Sequence, residues 1–215
     1  ADLWKETPST SLVAIRGDRL ALSRVRSAAT QSELLNIVEI DAEGRISALV
    51  AIDENDLAAA IAELDARFGA GEATDHARTW AVIAESGAAL NRREFRTTAA
   101  GFVDVDRRRL TNIGTGDMKE FFRAAWELTP DLVTFAETVH RLTDVGAVVS
   151  QVAHGTSQGD FYAEWRVAAV YVVDGELLSR CEVFDEADLD LALARFDEVS
   201  RPAQHLANTA TQVYE

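Results

Sequence analysis

Asp104 and Asp106 lie two residues apart in FVDVDRRRL (102–110), so both carboxylates leave the same face of a strand. Paired carboxylates suit acid–base chemistry, because each raises the other's affinity for a proton. His154 is the histidine that would complete a proton-transfer pair with either of them; His140 is the other one near a strand. Two features weigh against this. Arg107, Arg108 and Arg109 follow at once and predict neutralising ion pairs, and His154 opens Gly-Thr-Ser-Gln-Gly, which predicts a hydrogen-bonded hairpin histidine. Arg92, Arg93 and Arg96 complete the one basic concentration, and in so acidic a chain these residues are expected to pair with its own carboxylates. Ile-Gly-Thr-Gly-Asp (113–117) lacks the lysine and the glycine spacing of a phosphate cradle, and Asp117 would repel phosphate. Cys181 is the single cysteine, so no disulfide, metal site or cofactor is expected; among apolar neighbours it reads as an inert thiol.

The elements that would position these groups follow from periodicity. In the strand 161–171, Phe161, Ala163, Trp165, Val167, Ala169 and Tyr171 share one face, predicted inward, and Tyr162, Glu164 and Arg166 the other. Leu177, Ser179, Cys181 and Val183 share a face opposite Arg180 and Glu182, so the outer face is expected to carry a cross-strand charge ladder. Residues 75–91 predict a helix with Trp80, Ile83, Gly87 and Leu90 on one side; residues 92–100 predict a short helix or turn. Residues 116–128 predict a helix opened by an Asp117/Glu120 capping box, and Pro130 blocks its continuation.

One segment is written twice. Leu57, Ile61, Leu64 and Phe68 make a helical stripe after Asp53-x-x-Asp56, and Leu189, Leu193 and Phe196 make another after Asp185-x-x-Asp188. In each pair the first Asp is expected to cap and the second to favour the helix dipole. A hairpin precedes both, at 40–45 and 172–176, and the strand after the turn is one residue longer in the second, which predicts a bulge or a one-residue slip. SLVAIRGDRLALSRVR (11–26) likewise matches TVHRLTDVGAVVSQVAH (138–154). Each copy thus holds four antiparallel strands and a helix.

Over residues 75–199, helix, short helix, strand, helix, four strands and a closing helix resemble the NTF2-like (SnoaL-like) family. The resemblance implies an α+β cone: a curved antiparallel sheet with helices on its concave face. Stretches such as EIDAEGRISALVAIDENDLAAAIAELDARFGAGEA and FDEADLDLALARFDEVSRPA are similar to paired modules at the C-terminus of large actinobacterial regulatory proteins. The implied division is a partial module (1–70), a complete one (71–202) and a tail (203–215). A partial module leaves its concave face open, to be covered by upstream residues, by the second module or by another subunit. The implied pocket is lined by Trp80, Asp104, Asp106, His154, Trp165, Tyr171 and Cys181. Trp80, Trp126 and Trp165 are expected in the core, with one flooring the pocket. Where similar sequences read Asp-His-Arg, this chain has Asp106-Arg107-Arg108, and a guanidinium does not give up its proton.

The expected function is a non-catalytic module for dimerisation or ligand sensing in a larger regulator. The alternative is a small cyclase, isomerase or hydrolase acting on an apolar molecule. Self-association or packing of the two modules is expected. The formal charge of -15 disfavours nucleic acid. No run of about 18 apolar residues predicts a membrane span, and with no signal pattern in ADLWKETPST a cytoplasmic location is expected. The initial Ala and the lone Met118 suggest a piece of a longer chain.

Overall fold

The computed structural model describes residues 9–27, 32–109 and 118–201. Strands β1 (Ser9–Arg16), β2 (Leu20–Arg26), β3 (Glu33–Ile40) and β4 (Ile46–Asp53) form an antiparallel sheet in sequence order, followed by α1 (Leu57–Ala70). Then come α2 (Ala77–Asn91), β5 (Val103–Asp106), α3 (Met118–Leu128), β6 (Val133–Thr143), β7 (Gly146–Thr156), β8 (Tyr162–Asp174), β9 (Leu177–Asp185) and α4 (Leu189–Val199). The second sheet has the order β5-β9-β8-β7-β6; β5 runs parallel to β9 and the other pairs are antiparallel. Residues 77–199 thus have the α+β cone expected from the sequence. The segment after α2 is irregular rather than a second helix. The repeated hairpins both carry a register break, at Glu39/Ile40 and at Val172/Val173. The Asp117/Glu120 box, the 113–117 stretch and the tail fall wholly or partly outside the described residues.

The helix starts differ from expectation. Asp56, not Asp53, caps α1, accepting from the Ala59 N–H at 3.0 Å; Asp53 instead takes the Asn55 N–H. Before α4 both aspartates turn to Arg109, whose N–H reaches Asp185 (3.1 Å) and whose guanidinium reaches Asp188 (2.6 Å).

Strand alternation decides what each helix covers. Leu22, Leu35 and Ile37 share the face under α1, where Ala60, Leu64 and Phe68 bury against them. In the second sheet Val148, Ala168, Val170 and Phe184 lie under Ala192 and Phe196 of α4. Helices were expected on one face only; α2 and α3 keep to the concave side, but α4 takes the opposite side. The apolar even-numbered row needs cover, and α4 directly follows the strand that carries Phe184. Glu182 is consequently not an open ladder residue. Its side chain has no exposure and is held by Arg195 (3.0 Å), Arg180 (2.5 Å) and Arg107. Arg166 pairs with Glu164 on its own strand (2.5 Å) and with Glu137 of β6 (3.2 Å), so the expected ladder does not run from β8 to β9, where Arg180 and Glu182 lie opposite Val172 and Val170.

The two halves share one core, joined around Arg16 of β1. Arg16 is wholly buried, donates to Asp65 of α1 at 2.7 Å and to the Ile15 carbonyl at 2.8 Å, and lies 5.1 Å from the Trp80 ring of α2. Trp80 in turn meets Phe68 edge to face at 5.6 Å. Among the described residues no helix is long and apolar enough to cross a membrane.

Asp65→Asn leaves the buried guanidinium without its counter-charge and should cost about 3–5 kcal/mol in urea unfolding; a joint Arg16→Met, Asp65→Leu replacement should recover most of that loss. Burial raises the Glu182 carboxyl, but hydrogen bonds from Arg195, Arg107 and Arg180 outweigh it and bring it to about 2. The stability this depressed carboxyl adds is fully present above its ordinary 4.5 and is lost as pH falls towards about 2. Glu182→Gln should therefore flatten the stability–pH curve in that window.

Candidate functional site

Between the concave face of the second sheet and α2, α3 and residues 92–98 lies a cavity of about 830 Å³ that also runs out along α1. Its walls are chiefly apolar: Trp80 and Ile83 from α2, Phe121 and Phe122 from α3, and Val149, Trp165 and Val167 from the sheet. Phe95, Phe122 and Trp126 stack at 5.1–5.9 Å and fix α3 over the irregular segment. The cone is therefore open rather than filled by its aromatic side chains.

A row of polar groups crosses the floor. Register places Asp104 of β5 beside Cys181 of β9, and Cys181 beside Tyr171 of β8. The Tyr171 hydroxyl donates to Gln151 Oε1, the Gln151 amide donates to Thr134 Oγ1 (2.7 Å), and the Thr134 N–H donates to Asn91 Oδ1 (2.8 Å) at the end of α2. Every group beyond Cys181 is thus engaged, and the row pins α2 to β6. At its other end Asp104 is 8% exposed, and its Oδ1 is buried with no hydrogen-bond partner. An unpaired buried carboxylate oxygen is costly, which marks the position.

Electrostatics separates the groups chemically. Burial pushes the Asp104 carboxyl up, and the Asp106 charge adds to this, while the Met118 N–H and Lys119 work the other way. Burial also drives Tyr171 well up, helped by Cys181 and Asp104. Burial, then the Asp104 charge, raises the Cys181 thiol so that it stays protonated, as expected for an inert thiol. Asp104 is the only carboxylic acid in the row.

Five of the seven pocket residues read from the sequence, Trp80, Asp104, Trp165, Tyr171 and Cys181, line this one cavity. Asp106 and His154 do not, which corrects the expected proton-transfer pair. Asp106 is closed off by Arg108, at 2.8–2.9 Å in a two-point ion pair with the aspartate side chain 1% exposed. His154 pairs in register with Val133 and Glu164 on the side of the sheet opposite Ala153 and Trp165, packs 6.1 Å from Phe135, and has its pKa lowered by burial. Phe161 precedes β8 and is 70% exposed, so it is not an inward residue. Arg107 pairs with Glu182, Arg109 with Asp188 and Arg92 with Glu85 (2.7 Å), as expected, whereas Arg93 donates to the Pro130 carbonyl (2.5 Å). Gly155-Thr156-Ser157-Gln158-Gly159 spells the Gly-x-Ser-x-Gly spacing, but it forms the β7–β8 hairpin, with Ser157 N–H on the Phe161 carbonyl at 2.9 Å. A nucleophile needs that spacing on a strand-to-helix elbow. Sequence reading missed Gln151 and Thr134, whose polarity at inward positions of β7 and β6 was the available signal. Among the described residues no three His, Cys, Asp or Glu side chains gather as a metal site.

No protein-family model and no curated protein matches the chain. Solved structures similar to it include a proposed hydroxylase, AclR from Streptomyces galilaeus, 14% identical, covering 65% of this chain and 93% of that one with a TM-score of 0.43. A proposed SnoaL-like polyketide cyclase from Jannaschia sp. CCS1 is 16% identical over 60% of this chain and 94% of its own, TM-score 0.38. BvnE pinacolase from Penicillium brevicompactum is 12% identical over 59% and 94%, TM-score 0.38. At such identities no residue role carries over.

With its raised pKa, the Asp104 carboxyl destabilises the fold increasingly as pH rises through its titration. Asp104→Asn keeps the shape and removes the charge, so it should stabilise the protein by about 1–2 kcal/mol at neutral pH, with the gain vanishing in acid. Thermal unfolding of both proteins across pH measures this.

Proposed function

We propose that the chain binds an apolar, ring-sized small molecule in the cone and anchors it through a hydroxyl or N–H group to Asp104. The observation that carries this reading is the buried, unpartnered Asp104 Oδ1 at a chiefly apolar cavity of about 830 Å³. A cavity of that size suits a drug-sized molecule, with few polar groups fixing its orientation. A ligand donor would satisfy the stranded oxygen, and the apolar walls would supply the affinity. This reading keeps the ligand-sensing role expected from the sequence.

A second reading is favoured by the burial of Asp104, 8% exposed beside the cavity, which raises its carboxyl's affinity for a proton. A carboxylate so placed removes a proton from a carbon beside a carbonyl more readily than an exposed one. The chain would then be a small isomerase or cyclase with Asp104 as its base and the Tyr171–Gln151 pair as a positioning element.

Trp80 and Trp165 line the cavity, so binding should change tryptophan fluorescence. A panel of polycyclic phenols should give saturable changes. Asp104→Asn should weaken phenol binding by about tenfold, the worth of one charge-assisted hydrogen bond, and Ala136→Phe should block it sterically. Absence of saturable binding across the panel would defeat the binding reading. For the second reading, the protein should speed deuterium uptake at the α-carbon of a bound ketone in D2O; a rate unaltered in Asp104→Asn would exclude Asp104 as the base.

A further inference from the structure

The cavity is apolar along its walls but carries cations where it meets water. Arg96, from the irregular segment after α2, and Lys119, from the first turn of α3, both line it and are both exposed. Lys119 Nζ lies 5.7 Å from the Phe95 ring, so the two cations sit on segments that touch. Among the described residues neither forms an ion pair with a carboxylate. The cations around them do. Arg92 holds Glu85 (2.7 Å) and Glu94 (3.1 Å), Arg108 holds Asp106 (2.8 Å), and Arg123 holds Glu120 (2.7 Å).

With 36 acidic residues against 21 basic ones, carboxylates are in excess, and two neighbouring cations left without one stand out. The other acids of the cavity lining are engaged elsewhere, Glu85 and Glu94 by Arg92 and Asp65 by Arg16. Asp104 remains, and Lys119 acts on it through space, opposing part of its raised proton affinity. Exposed cations beside an apolar cavity draw anions to its opening, even on a chain whose net charge is -15. An apolar acid uses both parts at once. A neutral apolar molecule uses only the walls, and a small polar anion only the cations. A ligand with more than one negative charge would be set against Asp104 and the charge of the whole chain, which favours a single carboxylate over a phosphate ester.

We infer that the cavity takes an apolar ring acid, with its ring between α2, α3 and the sheet, its carboxylate at Arg96 and Lys119, and a hydroxyl at Asp104. The inference rests on the binding reading proposed above and adds the anionic group to it.

Calorimetric titration with 2-naphthol and with 6-hydroxy-2-naphthoate tests this, because the two probes differ by the carboxylate alone. The acid should bind about tenfold more tightly at low salt, the worth of two exposed ion pairs. The advantage should shrink at about 0.5 M salt, where exposed charges are screened. In the double variant Arg96→Gln, Lys119→Gln the ratio of the two dissociation constants should fall to about one. The control Arg19→Gln, Arg45→Gln removes the same charge from the turns of the first sheet and should keep the ratio. Equal binding of the two probes by the wild-type chain overturns the inference, as does a preference for the acid that the Arg96/Lys119 variant retains. In both cases binding of 2-naphthol leaves the binding reading in place. If neither probe binds, the inference is overturned, and the panel of phenols decides whether the binding reading falls with it.

Discussion

A β-sheet whose strands are apolar on both sides has two faces to keep from water, and this chain contains two such sheets. Helix α1 covers one face of the first and α4 one face of the second. The concave face of the second is roofed at a distance by α2 and α3, which leaves a cavity between roof and floor. The remaining face has no helix over it among the described residues, and Leu12, Ile46 and Leu49 on it are largely exposed. Core, cavity and exposed face are thus consequences of one requirement met in different ways, because burial of apolar area is the main favourable term in folding.

Charge follows the same geometry. A carboxylate or guanidinium that alternation sends beneath a helix has to be paired, and each here has at least one opposite charge beside it, while Arg16 Nη2 is buried without a hydrogen-bond partner. Arg16 under α1 has Asp65, and Glu182 under α4 has three arginines. Asp106 is closed by Arg108 two residues along the same chain. Against that background Asp104 stands out, because its Oδ1 is buried and unpaired. A fold that satisfies its other buried acids and leaves one oxygen facing an apolar cavity has given up stability at that point, which is characteristic of a site that meets a ligand.

Much of the architecture was legible in the sequence. The stripes Leu57–Phe68 and Leu189–Phe196, the alternation of 161–171 and the duplicated hairpins gave helices, strands and their order. The inward positions of Trp165, Tyr171 and Cys181 followed from parity alone, which survives wherever a strand stays regular. Parity failed at Phe161, which lies before the strand begins, and it said nothing of which aspartate an arginine would choose. Asp104 and Asp106 look equivalent on paper. They differ in space because the chain turns after Asp106 and brings Arg108 back onto it.

The sequence by itself determined the secondary structure, the repetition of strands and helix, and the absence of a cysteine or histidine framework, because these depend on local periodicity and residue type. Tertiary structure decided which face each helix covers, which carboxylate remains unpaired, and that the cone is open. Those outcomes depend on distances between residues far apart in the chain, such as Arg16 and Trp80 or Tyr171 and Gln151, and no local pattern encodes a distance of that kind.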